Sequence, residues 1–174
     1  MKYWAVLLTV FNRKDKTLEC LSRLFDQLPV EDLQIDVFLT DDACTDGTAE
    51  AVENLFPSVV HILEGNGNLF WNRGMLMAWK AAAETSNYDA YVWLNDDTYV
   101  YVDMLVSLAQ AMKQTSEKAI IVGATEDASH SKLTYGGRLS KGRFRFLPAN
   151  SRLWNISMVT SYLSHNLYFV NWAI

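Results

Sequence analysis

The chain has 174 residues, half of them hydrophobic, which is enough for one domain with a substantial core. Its formal net charge of −5, with no Lys/Arg run, argues against a nucleic-acid partner. No apolar stretch reaches the ~20 residues that span a bilayer, and Met1–Asp15 carries one early lysine and no small-residue cleavage site, so no signal peptide is expected.

Tyr3 to Val10 is apolar and rich in β-formers, which predicts a buried first strand ending at Asn12-Arg13-Lys14-Asp15. Leu18, Leu21, Leu24, Phe25 and Leu28 then recur at helical spacing up to Pro29. Ile35–Leu39 predicts a second strand, ended by Thr40-Asp41-Asp42. Thr45-Asp46-Gly47-Thr48 supplies capping chemistry for a helix carrying Ala51, Val52 and Leu55. Val59–Leu63 predicts a third strand and the loop 64–68 follows, with a helix expected from about Asn72 to Glu84. Ala90–Leu94 predicts a fourth strand running into Asn95-Asp96-Asp97-Thr98. Val102–Met112 reads as a helix and Ala119–Ala124 as a fifth strand. After Thr125 the alternation fades. Alternating strand and helix patterns with short buried-type strands imply an α/β fold, an open, twisted, mostly parallel Rossmann-like sheet with helices on both faces.

In such sheets ligands bind beyond the carboxyl ends of the strands. Three polar clusters fall there: Thr9 to Arg13, Asp41-Asp42, and Asn95-Asp96-Asp97. Two acidic pairs on one edge would repel each other unless a cation joined them, and carboxylates suit Mg²⁺ or Mn²⁺ shared with phosphates. Asp46 heads a helix and reads as a cap; Asp41 alone reads equally as cap or ligand. Asp96-Asp97, straight after an apolar strand, reads as functional. Cys20 and Cys44 read as two reduced thiols, and His61, His130 and His165 share no metal-ligand spacing. Trp79 and Trp93 read as core, whereas Trp71, beside the glycine loop, stays a pocket candidate.

The segments LLTVFNRKDKTLECL (Leu7 to Leu21), FLTDDACTDGTAE (Phe38 to Glu50), GNGNLFWNRGMLMAWKAA (Gly65 to Ala82) and YDAYVWLNDDTYV (Tyr88 to Val100) together resemble the family 2 glycosyltransferases of GT-A fold. The WNRGM and WLNDDT pieces look like bacterial, rhamnosyltransferase-like members that build surface polysaccharides. The resemblance implies an inverting, metal-dependent transfer from a nucleoside diphosphate sugar to a glycan or lipid-linked acceptor. It implies a cytoplasmic protein, peripheral at the inner face of the plasma membrane. Thr9 and Phe11 should line the base pocket within the Thr9–Arg13 loop, and Asp41 should accept hydrogen bonds from base or ribose. Arg73 should face base or diphosphate, unless it is only a solvent-exposed helix-start arginine. Asn95-Asp96-Asp97 matches the family's Asp-x-Asp signature with Asn at its first position, so Asp96 should approach ribose or sugar and Asp97 should ligate Mn²⁺ or Mg²⁺.

Tyr135-Gly136-Gly137 matches one more family piece, and beyond about Arg152 the resemblance stops. Residues 1–152 therefore read as an incomplete nucleotide-sugar-binding domain and 153–174 as an atypical tail. In a shifted reading frame, with permitted codons, the tail can read Y-F-N-G-N-I-V-L-I-P-Q-S-V-F-R-K-L-G, like the family segment expected there; an out-of-frame tail is the expectation. The last acidic residue is Asp127, so no candidate exists for the carboxylate that deprotonates an acceptor. That leaves a second reading open: a catalytically incomplete, nucleotide-binding module. A phosphoacceptor receiver domain is rejected, because the first strand ends in Asn12-Arg13 and the fifth in Gly123-Ala124. A truncated sheet would leave the fifth strand's neighbourhood and an edge uncovered, which predicts self-association.

Overall fold

A computed structural model describes residues 1–114, 120–123, 125–126, 133–135, 138–139, 145–146 and 155–157. Strands β1 (Lys2–Val10), β2 (Leu33–Asp41), β3 (Val60–Glu64) and β4 (Ala90–Trp93) form one sheet of order β3-β2-β1-β4, parallel at every pairing. Helices α1 (Lys14–Phe25), α2 (Thr48–Leu55), α3 (Phe70–Thr85) and α4 (Met104–Lys113) provide the crossovers and the cover. The α/β expectation holds.

β1 lies at the centre, buried from Trp4 to Val10, because both of its faces are covered. Side chains alternate along a strand, so the sheet divides its residues by parity. Trp4, Val6, Leu8 and Val10 join Val37, Leu39, Val92 and Leu94 in a core that includes Cys20, Leu21 and Leu24 of α1, Val52 of α2 and Leu105 and Leu108 of α4. Ala5 and Leu7 join Phe38 and Tyr91 against Met75, Ala78 and Ala82 of α3 on the opposite face. Trp79 and Trp93 pack on that second core, as expected, with ring centroids 5.7 Å apart.

α3 approaches the sheet closely at Gly74. A Cβ there would stand 2.1 Å from the Thr9 hydroxyl oxygen, so only glycine lets the helix sit down. Thr40 Oγ1 donates to the Gly74 carbonyl at 2.9 Å and fixes the contact.

Two expectations need correction. The fifth strand, β5 (Ile120–Val122), is not hydrogen-bonded into the four-stranded sheet. It pairs antiparallel with a strand at Asn155–Ser157, so the described β5 has a neighbour, and β3 and β4 are the terminal strands of the parallel sheet. That neighbour comes from the tail that sequence pattern could not resolve into any element. α3 also starts at Phe70, two residues ahead of its expected position. Short antiparallel pairs at Thr125–Glu126 with Leu133–Tyr135 and Arg138–Leu139 with Arg145–Phe146 complete the described elements. Gly136, Gly137 and most of the 153–174 tail lie outside the described residues.

Candidate active site at the strand ends

The order β3-β2-β1-β4 reverses direction at β1: the chain steps outward to β2 and β3, then returns to the other side at β4. The crevice between the carboxyl ends of β1 and β4 is thus the topological switch point, where open α/β sheets bind ligands. The loop Phe11–Arg13 follows β1 there, and Asn95–Asp97 lies just past β4.

Parity decides which way each acidic group faces. Asp42, one step past β2, is on the α3 face with Phe38 and Thr40. Its Oδ1 accepts the Gly67 N–H at 2.7 Å, and its Oδ2 accepts those of Leu69 (2.9 Å) and Phe70 (3.1 Å). The carboxylate caps α3 from 28 residues upstream and holds Phe70, whose φ of 53° is costly for a non-glycine residue. Asp41 faces the α2 side instead. It is buried, its Oδ1 accepts the Cys44 N–H at 2.6 Å, and it rims a cleft of about 660 Å³ with Cys44, Phe56 and Glu64. Adjacent in sequence, the two carboxylates serve opposite faces.

β4 continues the same alternation past its last residue. Asn95 Oδ1 accepts the Trp71 indole N–H at 2.9 Å on the α3 face. Asp96 turns to α1, where it is 2% exposed and lies 3.5 Å from Thr17 Oγ1. Asp97 is 26% exposed at the rim. Arg13 joins the last two: Nη2 is 2.9 Å from Asp96 Oδ1 and Nη1 is 2.8 Å from Asp97 Oδ2. The guanidinium thus spans two neighbouring carboxylates, as its planar fork permits.

The site loops are tied to one another. Asn12, at φ 51°, accepts the Thr45 N–H on its side-chain oxygen at 2.7 Å, and its own N–H points to Cys44 Sγ at 3.2 Å. Asp46 caps two helices at once, accepting Thr48 N–H and Oγ1–H on one oxygen and Lys14 N–H on the other. The Thr48 hydroxyl, with those backbone donors, holds its pKa below the usual carboxylate range. The cap reading of Asp46 is what the structure shows. Burial pushes the Cys20 thiol up to about 12 and the Cys44 thiol up to about 11, and neither is in a disulfide. His61 stacks on Phe38 with centroids 4.6 Å apart.

The sequence-predicted residues fall into four groups, with Asp41 apart on the α2 side. Arg13, Asp96 and Asp97 come together. Thr9 is buried beneath Gly74, while Phe11, the next residue of the same parity, is 53% exposed at the top of β1. Arg73 is exposed on the first turn of α3, with Nη1 3.5 Å from the Asn68 carbonyl, and no described contact joins it to the carboxylates. Sequence reasoning missed Asp42 as the organiser of the α3 loop and the partnership of Trp71 with Asn95.

Repulsion between the acidic pairs does not by itself require a cation: backbone N–H groups satisfy Asp42 and Arg13 compensates Asp96 and Asp97. Among the described residues no three His, Cys, Asp or Glu side chains gather to hold a metal. That donor set fits Mg²⁺ or Mn²⁺ best as an ion shared with ligand phosphates, since such ions take one or two carboxylates and fill the remainder with phosphate oxygens and water.

Burial pushes the Asp96 carboxyl up to about 6, against the opposing pull of Arg13. The unfolded chain titrates near 4, so the folded state binds the extra proton between about 4 and about 6. Stability from this group falls as pH rises through that window and is level above it. Asp96→Asn should remove this fall. Urea unfolding at pH 4 and pH 7 measures it, and an unchanged pH dependence in the variant would count against the shift.

No curated protein sequence matches this chain. Among solved structures it is similar to S. aureus TarS residues 1–349 in complex with UDP-GlcNAc, at 17% identity and TM-score 0.59, covering 85% of this chain and 37% of that one. It is also similar to the mannosyltransferase PcManGT of Pyrobaculum calidifontis in complex with GDP-Man and Mn²⁺, at 23% identity and TM-score 0.50, covering 71% of this chain and 34% of that one. The chain spans about a third of the length of these proteins, and likenesses at such identity carry the fold, which is GT-A. No described helix is long and apolar enough to cross a membrane. The sequence profile of glycosyl transferase family 2 spans residues 5–172, nearly the whole chain, and the chain belongs to that family.

Proposed function

We propose that this domain binds a nucleoside diphosphate sugar across the carboxyl ends of β1, β2 and β4 and serves its transfer to a glycan or lipid-linked acceptor. The observation that carries the reading is the convergence of Arg13, Asp96 and Asp97 at the switch point of the sheet. UDP-GlcNAc in TarS and GDP-Man with Mn²⁺ in PcManGT support it as ligands of proteins with the same fold. In this reading Phe11, exposed above β1, packs against the base within the pocket shaped by Thr9, and Asp41 accepts a hydrogen bond from base or ribose. Arg73 faces the diphosphate from the α3 side. Asp97 is the carboxylate that would hold Mn²⁺ or Mg²⁺. Such an ion, when bound, neutralises the charge that develops on the departing diphosphate. Asp96 serves the same centre from beneath, through Arg13, in place of the direct ribose contact that the resemblance implies.

We further propose inverting chemistry in bacterial surface-polysaccharide synthesis, with a rhamnosyl-type donor, in the cytoplasm against the inner face of the plasma membrane. Inversion requires a carboxylate to take the acceptor proton. The second reading is a module that holds nucleotide sugar without turning it over. Calorimetry with UDP-, dTDP- and GDP-sugars, with and without Mn²⁺, tests both. Metal-dependent binding of one donor is expected. Product formation with a glycan acceptor selects the enzyme, binding without turnover selects the module, and no metal-dependent binding by any donor refutes the assignment of Asp97.

A further inference from the structure

We propose that Arg13 is a latch on the cation site: its guanidinium pairs with the Asp97 carboxylate, and a divalent cation gains Asp97 only by displacing it. This rests on the reading of Asp97 as the cation-binding carboxylate, and adds to it a control on when that carboxylate is available.

The latch has a fixed end and a free end. The fixed end is Asp96, which is 2% exposed and pairs with Nη2 at 2.9 Å. Leaving that carboxylate buried and unpaired would be costly, so the guanidinium stays close to it. The free end is Asp97, part-exposed, which pairs with Nη1 at 2.8 Å. An arginine in this position opposes a doubly charged ion twice, by repulsion and by holding the oxygen the ion needs. It cannot escape by losing its proton, since arginine remains charged in proteins. Only a new partner relieves it. Phosphate oxygens are such a partner, because they match the guanidinium fork as carboxylates do. Nucleoside diphosphate and cation then each lower the other's obstacle, and linkage makes that coupling equal in both directions. The arrangement would hold metal affinity down until the diphosphate arrives.

The test measures Mn²⁺ itself, from the electron paramagnetic resonance signal of the free ion, on the full chain with and without UDP. Wild type, Arg13→Ala, Arg13→Lys and Asp97→Ala are compared, with thermal melts to verify folding. Without UDP, Arg13→Ala is expected to bind Mn²⁺ roughly tenfold more tightly than wild type, and the enhancement of Mn²⁺ affinity by UDP is expected to shrink by a similar factor. Arg13→Lys should fall between them, since a compact ammonium cannot span both carboxylates. If Mn²⁺ binds all but Asp97→Ala, with equal affinity in wild type and both Arg13 variants, the latch is overturned while the metal assignment stands. Absence of Mn²⁺ binding in every variant, with UDP and, in its place, dTDP or GDP present, overturns both. Should Arg13→Ala fail to fold, Arg13→Lys decides: affinity equal to wild type removes the proposal.

Discussion

Asp97→Ala is expected to abolish metal-dependent binding of nucleotide sugar while leaving the melting temperature close to wild type. The carboxylate is 26% exposed at the rim of the sheet, and its one described ion pair is with Arg13, which keeps Asp96 as a partner. An exposed pair of this kind contributes no more than about 1 kcal/mol. Ligand affinity is another matter. Even partners of metal-ligating groups change affinity by about 10- to 100-fold when removed, so loss of the ligating carboxylate itself should weaken binding by about 100-fold or more. Calorimetry in Mn²⁺ and again in EDTA measures this. Equal affinity of the variant and wild type in Mn²⁺ would remove Asp97 from the site.

Asp42→Ala should have the opposite signature, a large loss of stability. One carboxylate accepts three backbone N–H groups, from Gly67, Leu69 and Phe70, and nothing else described takes them. Part-buried donors stripped of an acceptor cost about 1–3 kcal/mol each, and the lost cap and helix-dipole partner act in the same direction. A loss of about 3–5 kcal/mol is expected by urea unfolding, with Asp42→Asn in between because its carbonyl oxygen still accepts. Gly65 adds to the sensitivity of this corner, since a Cβ there would stand 2.8 Å from the Asp42 Cα. A loss below about 0.5 kcal/mol, the range of ordinary surface changes, would show that the loop is held by something else.

Much of the fold was legible because burial on both faces writes a strand as a continuous apolar run. Tyr3–Val10, Ile35–Leu39, Val59–Leu63 and Ala90–Leu94 all became strands of one parallel sheet. The start of α3 was not legible, because its cap is not local. No residue near Leu69 caps it, and the acceptor is a carboxylate 28 residues away that makes a left-handed Phe70 tolerable. β5 was legible as a strand but not as one outside the main sheet, since pairing with 155–157 leaves no trace in the local pattern. For the candidate site, the polar clusters lie at strand ends as the sequence pattern implied, and the sequence reading took adjacent acids as working pairs. Strand geometry sets adjacent side chains on opposite faces, which is why Asp41 and Asp42 separate. The Arg13 bridge across 83 and 84 residues could be seen only once β1 and β4 were neighbours.

The indole of Trp71, hydrogen-bonded to Asn95 and 41% exposed, meets Trp93 at 5.6 Å, and Trp93 meets Trp79 at 5.7 Å. At such spacings an absorbed photon does not stay with the ring that took it up. Excitation can pass among these three of the chain's six indoles, so their ultraviolet emission is open to what happens at Trp71. The domain carries its own optical dye at the mouth of the crevice, readable without a label.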